Sequence, residues 1–291
     1  MKKDLPIIPY ESKSINDYGV EIITIESLYD RIHDLNHRID IAHLLGFNLL
    51  VFYTGGQTKH LIDFVWHEVY ENTLMHIAKG QVNAFQFQRD TKGFLVLFTN
   101  EYLKDQLSQL PNSEVVRLFN SNLFSPRIQV PKSANVLGYF QLFMEEYLQE
   151  KNRLHRKTLD SLFTIIFTKL EQLKQDQTFH VENNQHLEVF LVFKKLLESD
   201  FTKSRNADYY ASKLNITYKH LNVICKEVVN TTAKNFIDEF IVLEAKRNLI
   251  NSTIKSNELA YKMGFNEPTN FVKYFKKHTG FTPNSFKKQY L

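Results

Sequence analysis

From Val136 to Lys151 apolar residues recur every three or four positions, through Leu137, Phe140, Phe143, Met144, Tyr147 and Leu148. Leu154 to Leu173 continues that period through Leu159, Leu162, Phe163, Ile166, Phe167 and Leu170. Such spacing lines one face of an α-helix and predicts two long helices, with a third from His186 to Glu198. Before Tyr102 the rhythm is different. Leu49-Leu50-Val51-Phe52-Tyr53-Thr54 is a short β-rich run closed by Gly55-Gly56, which reads as a hairpin. His60–Val65, Thr73–Ile77 and Phe94–Phe98 read as further strands, with turns at Lys79-Gly80-Gln81 and Thr91-Lys92-Gly93. Several short strands at close spacing predict a sandwich or barrel rather than a βαβ fold. The polar stretch Ser199–Ala207 reads as a linker.

Beyond it one pattern occurs twice. Ala211-Ser212-Lys213-Leu214-Asn215-Ile216-Thr217 and Ala260-Tyr261-Lys262-Met263-Gly264-Phe265-Asn266 share their small, apolar and polar positions. Downstream, Lys226, Asn230, Thr232 and Phe236 correspond to Lys276, Gly280, Thr282 and Phe286. A helix, a tight turn carrying Asn or Gly, and a second helix make a unit suited to the DNA major groove. In the first unit Thr217 is expected to cap a helix from about Tyr218 to Val229. That helix buries Leu221, Ile224, Cys225 and Val228 and leaves Lys219, Asn222, Val223 and Lys226 outside. In the second unit Gly264 permits the turn, Asn266 is the expected cap and Pro268 suits the first helical turn. Phe271, Tyr274 and Phe275 form its apolar face, leaving Thr269, Asn270, Lys273, Lys276 and Lys277 outside.

Side-chain chemistry divides the outward residues. Asn222 and Asn270 can present a paired donor and acceptor to adenine, and Lys219 and Lys273 can donate to guanine. Val223 and Thr269 complete the expected base-contacting set. Thr217, Lys226, Lys276 and Lys277 suit the phosphate backbone, where they add affinity but little sequence information. Between the units, Lys234 to Leu249 has unbroken helical periodicity. A helix of about 15 residues spans roughly 22 Å and would fix the separation of two reading heads. Heads held about one DNA turn (~34 Å) apart would meet successive major grooves on one face of the duplex.

Charge sharpens this division. The chain has 291 residues, a length that argues for two domains, and a net charge of only +4. Residues 201–291 nevertheless hold 15 Lys and Arg against 7 Asp and Glu, whereas the first 200 hold 21 against 25. A basic C-terminal part on an acidic remainder is the electrostatic pattern of a nucleic-acid module attached to something else. The single cysteine, Cys225, excludes an internal disulfide and a cysteine-built metal site. Its apolar neighbours make it a buried, inert thiol. No apolar run is long enough to span a membrane, and the first residues lack an apolar signal region, so the cytoplasm is expected.

Leu243-Glu244-Ala245-Lys246-Arg247, Glu258-Leu259-Ala260, Gly264-Phe265, Asn270-Phe271, Phe275-Lys276-Lys277 and Gly280-Phe281-Thr282-Pro283 resemble the signature of the AraC/XylS family of bacterial transcription regulators. The resemblance covers about Phe201 to Leu291. It implies a seven-helix domain with two helix-turn-helix units that acts at promoters, usually as an activator and with RNA polymerase as a partner. There are departures: Lys255 stands where a capping Ser or Thr is usual, Asn230 replaces a common Gly, Phe240 a frequent Arg and Lys287 a frequent terminal Arg. A weaker similarity, from Leu49 to Phe98 with Gly55-Gly56, Asp63 and Gly80-Gln81-Val82, resembles the cupin-like sensor domain attached to many family members. It implies a small β-barrel that holds an effector, followed by helices that pair two chains into a homodimer.

The expected fold is therefore multidomain α+β: a cupin-like β-barrel with flanking helices, then an all-α domain with two helix-turn-helix units. The boundaries are 1–110 for the sensor, 111–198 for a helical dimerisation region and 199–291 for the DNA-binding domain. His33, His37, His43, His60, His67 and His76 are numerous, but none falls in a His-x-His pair followed by Glu and a later His, and Asn83 stands where many relatives carry His. No metal, cofactor or catalytic residue is expected. Phe52, Tyr53, Trp66, Phe85 and Phe87 are candidates to line an effector pocket, with simple core packing as the other reading. The leading expectation is a DNA-binding regulator commanded by a small molecule or a partner protein; the alternative is a cupin-type enzyme with an accessory DNA-binding tail.

Overall fold

The computed structural model describes residues 7–10, 18–30, 38–86, 88–106, 126–149, 153–177, 184–251 and 254–290. The chain divides into two compact units, Ile7–Thr178 and a second from Phe179 onward.

The first unit is built on two five-stranded sheets. Strands β1 (Ile7–Ile8), β3 (His43–Leu45), β8 (Val82–Phe85), β5 (Thr58–Ile62) and β6 (Val65–Val69) form one, in that order. The other runs β10 (Arg127–Gln129), β7 (Thr73–Ile77), β4 (Asn48–Gly55), β9 (Lys92–Phe98) and β2 (Val20–Thr24). Every pairing is antiparallel except β1 with β3. Side chains alternate faces along a strand, and β4 shows the consequence. Leu49, Val51 and Tyr53 join Leu45, Ile62, Val69 and Phe85 in the core between the sheets. Leu50 and Phe52 join a second core on the opposite face. Helices α3 (Val136–Leu148) and α4 (His155–Gln177) cover that face. There Phe52 stacks on Phe140 with centroids 5.2 Å apart, and Phe98 meets Phe163 edge-on at 5.2 Å. Both faces of β4 are thus dry, which is why it reads as a continuous apolar run. Truncating one of these buried phenylalanines to Ala costs about 3–5 kcal/mol. Two short helices, α1 (Ile25–Asp30) and α2 (Asn100–Gln106), complete the described unit.

Two local expectations are corrected. Gly55-Gly56 is not a hairpin turn: β4 and β5 belong to different sheets, and the chain crosses between them there. Gly56 has φ +79, and a Cβ on it would lie 2.7 Å from the Asp90 carbonyl oxygen, so the glycine serves a close crossing. The hairpin lies one strand later. His60–Val65, expected as one strand, is broken by Asp63 and Phe64, both left-handed with φ 46 and 71, and β5 folds back on β6 with Ile62 opposite Val65. Two successive positive φ values make the turn whose twist matches an antiparallel pair.

In the second unit seven described helices follow one another: α5 (Asn184–Asp200), α6 (Ala207–Lys213), α7 (Tyr218–Val229), α8 (Ala233–Asn251), α9 (Ser256–Lys262), α10 (Pro268–Thr279) and α11 (Pro283–Tyr290). The helix expected from His186 to Glu198 is the first of these and packs within this unit. Phe190 and Phe193 meet Phe236 of α8 at 5.0 and 5.8 Å, and Phe193 meets Tyr210 of α6 at 5.6 Å. Helix α8 is the hub, touching α6, α7, α9, α10 and α11. Ala233, Ile237, Ile241, Ala245, Leu249 and Ile250 are buried along it. A helix wrapped by neighbours needs apolar residues on several sides rather than one stripe.

Candidate nucleic-acid interface

Each reading head is assembled from local chemistry. In the first, the Asn206 side-chain Oδ1 accepts from Asp208 N–H at 3.1 Å and caps α6. Asn215 supplies a turn with φ 55, and Thr217 Oγ1 accepts from His220 N–H at 3.1 Å to open α7. Leu221, Ile224, Cys225 and Val228 are buried. Burial pushes the Cys225 thiol up to about 12, so no thiolate forms at neutral pH. Asn230 closes the helix in a left-handed conformation with φ 52, doing the work of the glycine it replaces.

In the second head Gly264 turns with φ 76, and a Cβ there would sit 1.9 Å from the Thr202 carbonyl oxygen. Only glycine fits. Helix α10 starts with Glu267 at the cap position and Pro268 as its first residue; the expected cap, Asn266, lies one residue too early. Glu267 makes no side-chain capping bond, and proline needs none for its missing N–H. Lys255, in place of a capping Ser or Thr, has no acceptor to offer α9, but Glu258 reaches back to accept from Lys255 N–H at 3.3 Å. Phe271 and Phe275 are fully buried. Tyr274 is partly buried and donates its hydroxyl to Asp238 of α8 at 2.7 Å; burial, then Asp238, pushes the phenol well up. Asp238 also pairs with Lys234. Phe240, standing where an Arg is frequent, packs edge-on against Phe201 at 5.6 Å.

The outward faces carry most of the expected contact residues. Thr217, Lys219, Val223 and Lys226 are exposed on the first head, and Thr269, Asn270, Lys273, Lys276 and Lys277 on the second. The lysines Lys226, Lys276 and Lys277 fall in the last turns of their helices, where the helix dipole favours positive charge. Asn222 is different. Its side-chain Oδ1 accepts from Ala233 N–H at 2.9 Å, closing the start of α8, so the amide does not present a free donor–acceptor pair to a base. Sequence reading also passed over Tyr218, 40% exposed at the first position of α7 and adjoining Lys219. Its signal was available: a large aromatic directly after a cap, off the apolar stripe.

Of the expected effector-pocket residues, Tyr53 and Phe85 come together, on either side of His60 in the inter-sheet core, whereas Phe52 and Trp66 lie elsewhere. Phe52 faces the helix-covered core and Tyr53 the inter-sheet core, Trp66 is 43% exposed on β6, and Phe85 is buried beside His60. Phe87 lies outside the described residues. Between the sheets Tyr53, His60, Asn83 and His43 are all buried and form one hydrogen-bonded chain. His43 Nδ1 lies 2.8 Å from the Ile41 carbonyl and must donate to it. That leaves His43 Nε2 to accept from Asn83 Nδ2 at 3.1 Å. Asn83 Oδ1 accepts from His60 Nε2 at 2.5 Å, and His60 Nδ1 accepts from the Tyr53 hydroxyl at 3.0 Å. One tautomer of each ring satisfies the whole chain. Burial drives the His60 pKa down to about 3 against the smaller opposing pull of Asn83, so the ring is neutral. Among the described residues no group of three or more His, Cys, Asp or Glu is placed to hold a metal ion. No described helix is long and apolar enough to cross a membrane.

Comparison with known proteins bears on the second unit. Residues 210–289 match the family model of a helix-turn-helix domain. An HTH-type transcriptional regulator in the cgkA 5′ region of Pseudoalteromonas carrageenovora is 31% identical over 94 residues, and the Msm operon regulatory protein of Streptococcus mutans is 27% identical over 96. These stretches are 32% and 33% of this chain, and they span only 55% and 34% of the two relatives' lengths. ToxT from Vibrio cholerae O395 aligns over 86% of this chain and 91% of its own, at 11% identity and a TM-score of 0.47. The family match falls across both helix-turn-helix units and the buried helix that joins them, so the C-terminal unit carries a helix-turn-helix domain.

Proposed function

We propose that the chain is a sequence-specific transcription regulator that binds promoter double-stranded DNA through both heads. The observation that carries this is the pairing of two folded heads, each with an exposed lysine-bearing helix, on the single buried helix α8. At 19 residues α8 is about 28 Å long, a little short of one DNA turn of ~34 Å, so bending of the duplex toward the protein brings both heads into neighbouring grooves of one face. Lys219 and Val223 read bases from the first head, with Tyr218 taking the place expected of Asn222. Thr269, Asn270 and Lys273 read from the second, while Thr217, Lys226, Lys276 and Lys277 hold phosphates. The two faces differ, so each chain takes an asymmetric site.

In this reading the protein works in the cytoplasm as an activator that contacts RNA polymerase, and the N-terminal unit passes on the command of an effector or a partner protein. Leu142 of α3 and Ile165 of α4 are exposed at 51% and 41%, and they support a homodimer formed through the outward side of these helices. Selection of binding sites from a random DNA pool by the full chain tests the DNA reading. A bipartite, asymmetric consensus is expected, and recovery of no preferred sequence would sink it. The enzyme alternative calls for histidines open to a ligand, whereas His43 and His60 are both committed to Asn83. Metal analysis with a turnover screen separates the two: stoichiometric tightly held metal accompanied by activity overturns the regulator-only reading.

A further inference from the structure

The segment Phe201–Asn206, within the stretch Ser199–Ala207 whose composition suggested a linker, is a built part of the C-terminal unit. One side belongs to the first head. Asp200 is buried, and Lys203 and the Tyr209 hydroxyl, at 2.6 Å each, hold its carboxyl down at about 2. The Tyr210 hydroxyl donates to the Ser204 carbonyl at 2.7 Å, and Asn206 caps α6. The other side grips the turn of the second head. Thr202 lies so close to Gly264 that no side chain fits between them. Arg205 donates from Nη1 to the Gly264 carbonyl at 3.0 Å while its guanidinium lies 3.9 Å from the centroid of the Phe265 ring. Phe265 in turn meets Phe271 and Tyr274 of α10, each at 5.3 Å. Asp238 of α8 holds that same Tyr274 from the other side.

We propose that Arg205 is a positioning residue for the second reading head: it fixes the tilt of α10 against the first head and thereby the half-site spacing that the chain accepts. The inference rests on the DNA-binding reading above. A planar guanidinium can lie over an aromatic face and donate in its own plane at once, which a lysine ammonium cannot do. The turn it holds leads directly into the reading helix. A small rotation there moves Thr269, Asn270 and Lys273 together, without altering any residue that touches DNA.

The test uses the full chain with Arg205 intact, Arg205→Lys and Arg205→Ala. The probe is the bipartite DNA selected by the unaltered protein, at its own spacing and with one or two base pairs added or removed between half-sites. Binding isotherms, hydroxyl-radical footprints and thermal melting are read for each. Arg205→Ala is expected to keep the first half-site footprint, fade on the second and weaken about tenfold at the selected spacing. It also accepts altered spacings that the unaltered protein rejects. Arg205→Lys recovers part of the affinity but keeps the broadened spacing. Full protection of both half-sites with unchanged spacing preference overturns the proposal. So does a parallel loss of both half-sites in step with a lowered Tm, which marks a purely structural role. If the unaltered protein selects no sequence, the DNA reading itself fails, and that is seen before any variant is compared.

Discussion

The two reading heads reach the same shape by different means. The first turns on Asn215, caps α7 with Thr217 and ties Asn222 to the start of α8, so the bonds that set its turn and caps stay within about twenty residues of one another. The second turns on Gly264, starts α10 on Pro268 and is steadied from outside by Arg205 and Asp238. The first turn is set by its neighbours in sequence; the second is gripped by a distant residue. Duplicated units in one chain therefore need not share the residues that hold them, even where their apolar positions align.

The largest effect expected from breaking this contrast is at the turns. Gly264→Ala combines a left-handed backbone with a clash against Thr202, and should cost about 3 kcal/mol or more of unfolding free energy. Asn215→Gly, at the matching place, should change stability by less than about 1 kcal/mol, because glycine adopts that conformation freely. Denaturant midpoints measure both, and equal losses would erase the distinction between the heads. Next in size, Lys273→Ala should lose about 1–3 kcal/mol of discrimination at one base position of the second half-site, and Lys219→Ala the same in the first. Binding to point-mutated sites reads this, and uniform weakening across all sites contradicts a base-reading role.

Asparagine separates the heads further. Asn222→Ala should cost about 1 kcal/mol of stability through the lost bond to Ala233, with base preference unchanged. Asn270→Ala should leave stability within about 0.5 kcal/mol and relax the preference for one base pair. Melting and site competition together would expose a reversed pattern. Smallest of all, Lys226→Ala and Lys276→Ala should each lower the slope of log affinity against log salt by about one while weakening all sequences alike. An unchanged slope removes that lysine from the phosphate set.

What could be read from sequence was what short-range chemistry dictates. The repeat, the Thr217 cap, the positive φ at Gly264 and the start at Pro268 depend on a few adjacent residues. The apolar run at Leu49–Thr54 likewise announced a strand. Errors arose where a distant partner decided the matter. Asn222 looks outward on a helical wheel until Ala233 arrives to use its oxygen. Ser199–Ala207 looks like a linker by composition, yet Asp200, Ser204 and Arg205 spend their polarity inside the unit. Gly55-Gly56 carries a turn's residues but serves a crossing between sheets, because the Asp90 backbone passes against it. Phe52 and Tyr53 could never line one pocket together, since neighbours on a strand point apart.

The chain of hydrogen bonds from Tyr53 to Ile41 sets terms for any molecule lodged between the sheets. Each link in it passes from donor to acceptor in one direction. A wholly apolar guest that opened the chain would strand one group on each side of the break, at roughly 1–3 kcal/mol apiece. A guest that heals the break has to carry an acceptor at one end and a donor at the other, in the order the chain dictates. The interior is in this sense a one-way sentence with a word that can be replaced only by another of the same grammar.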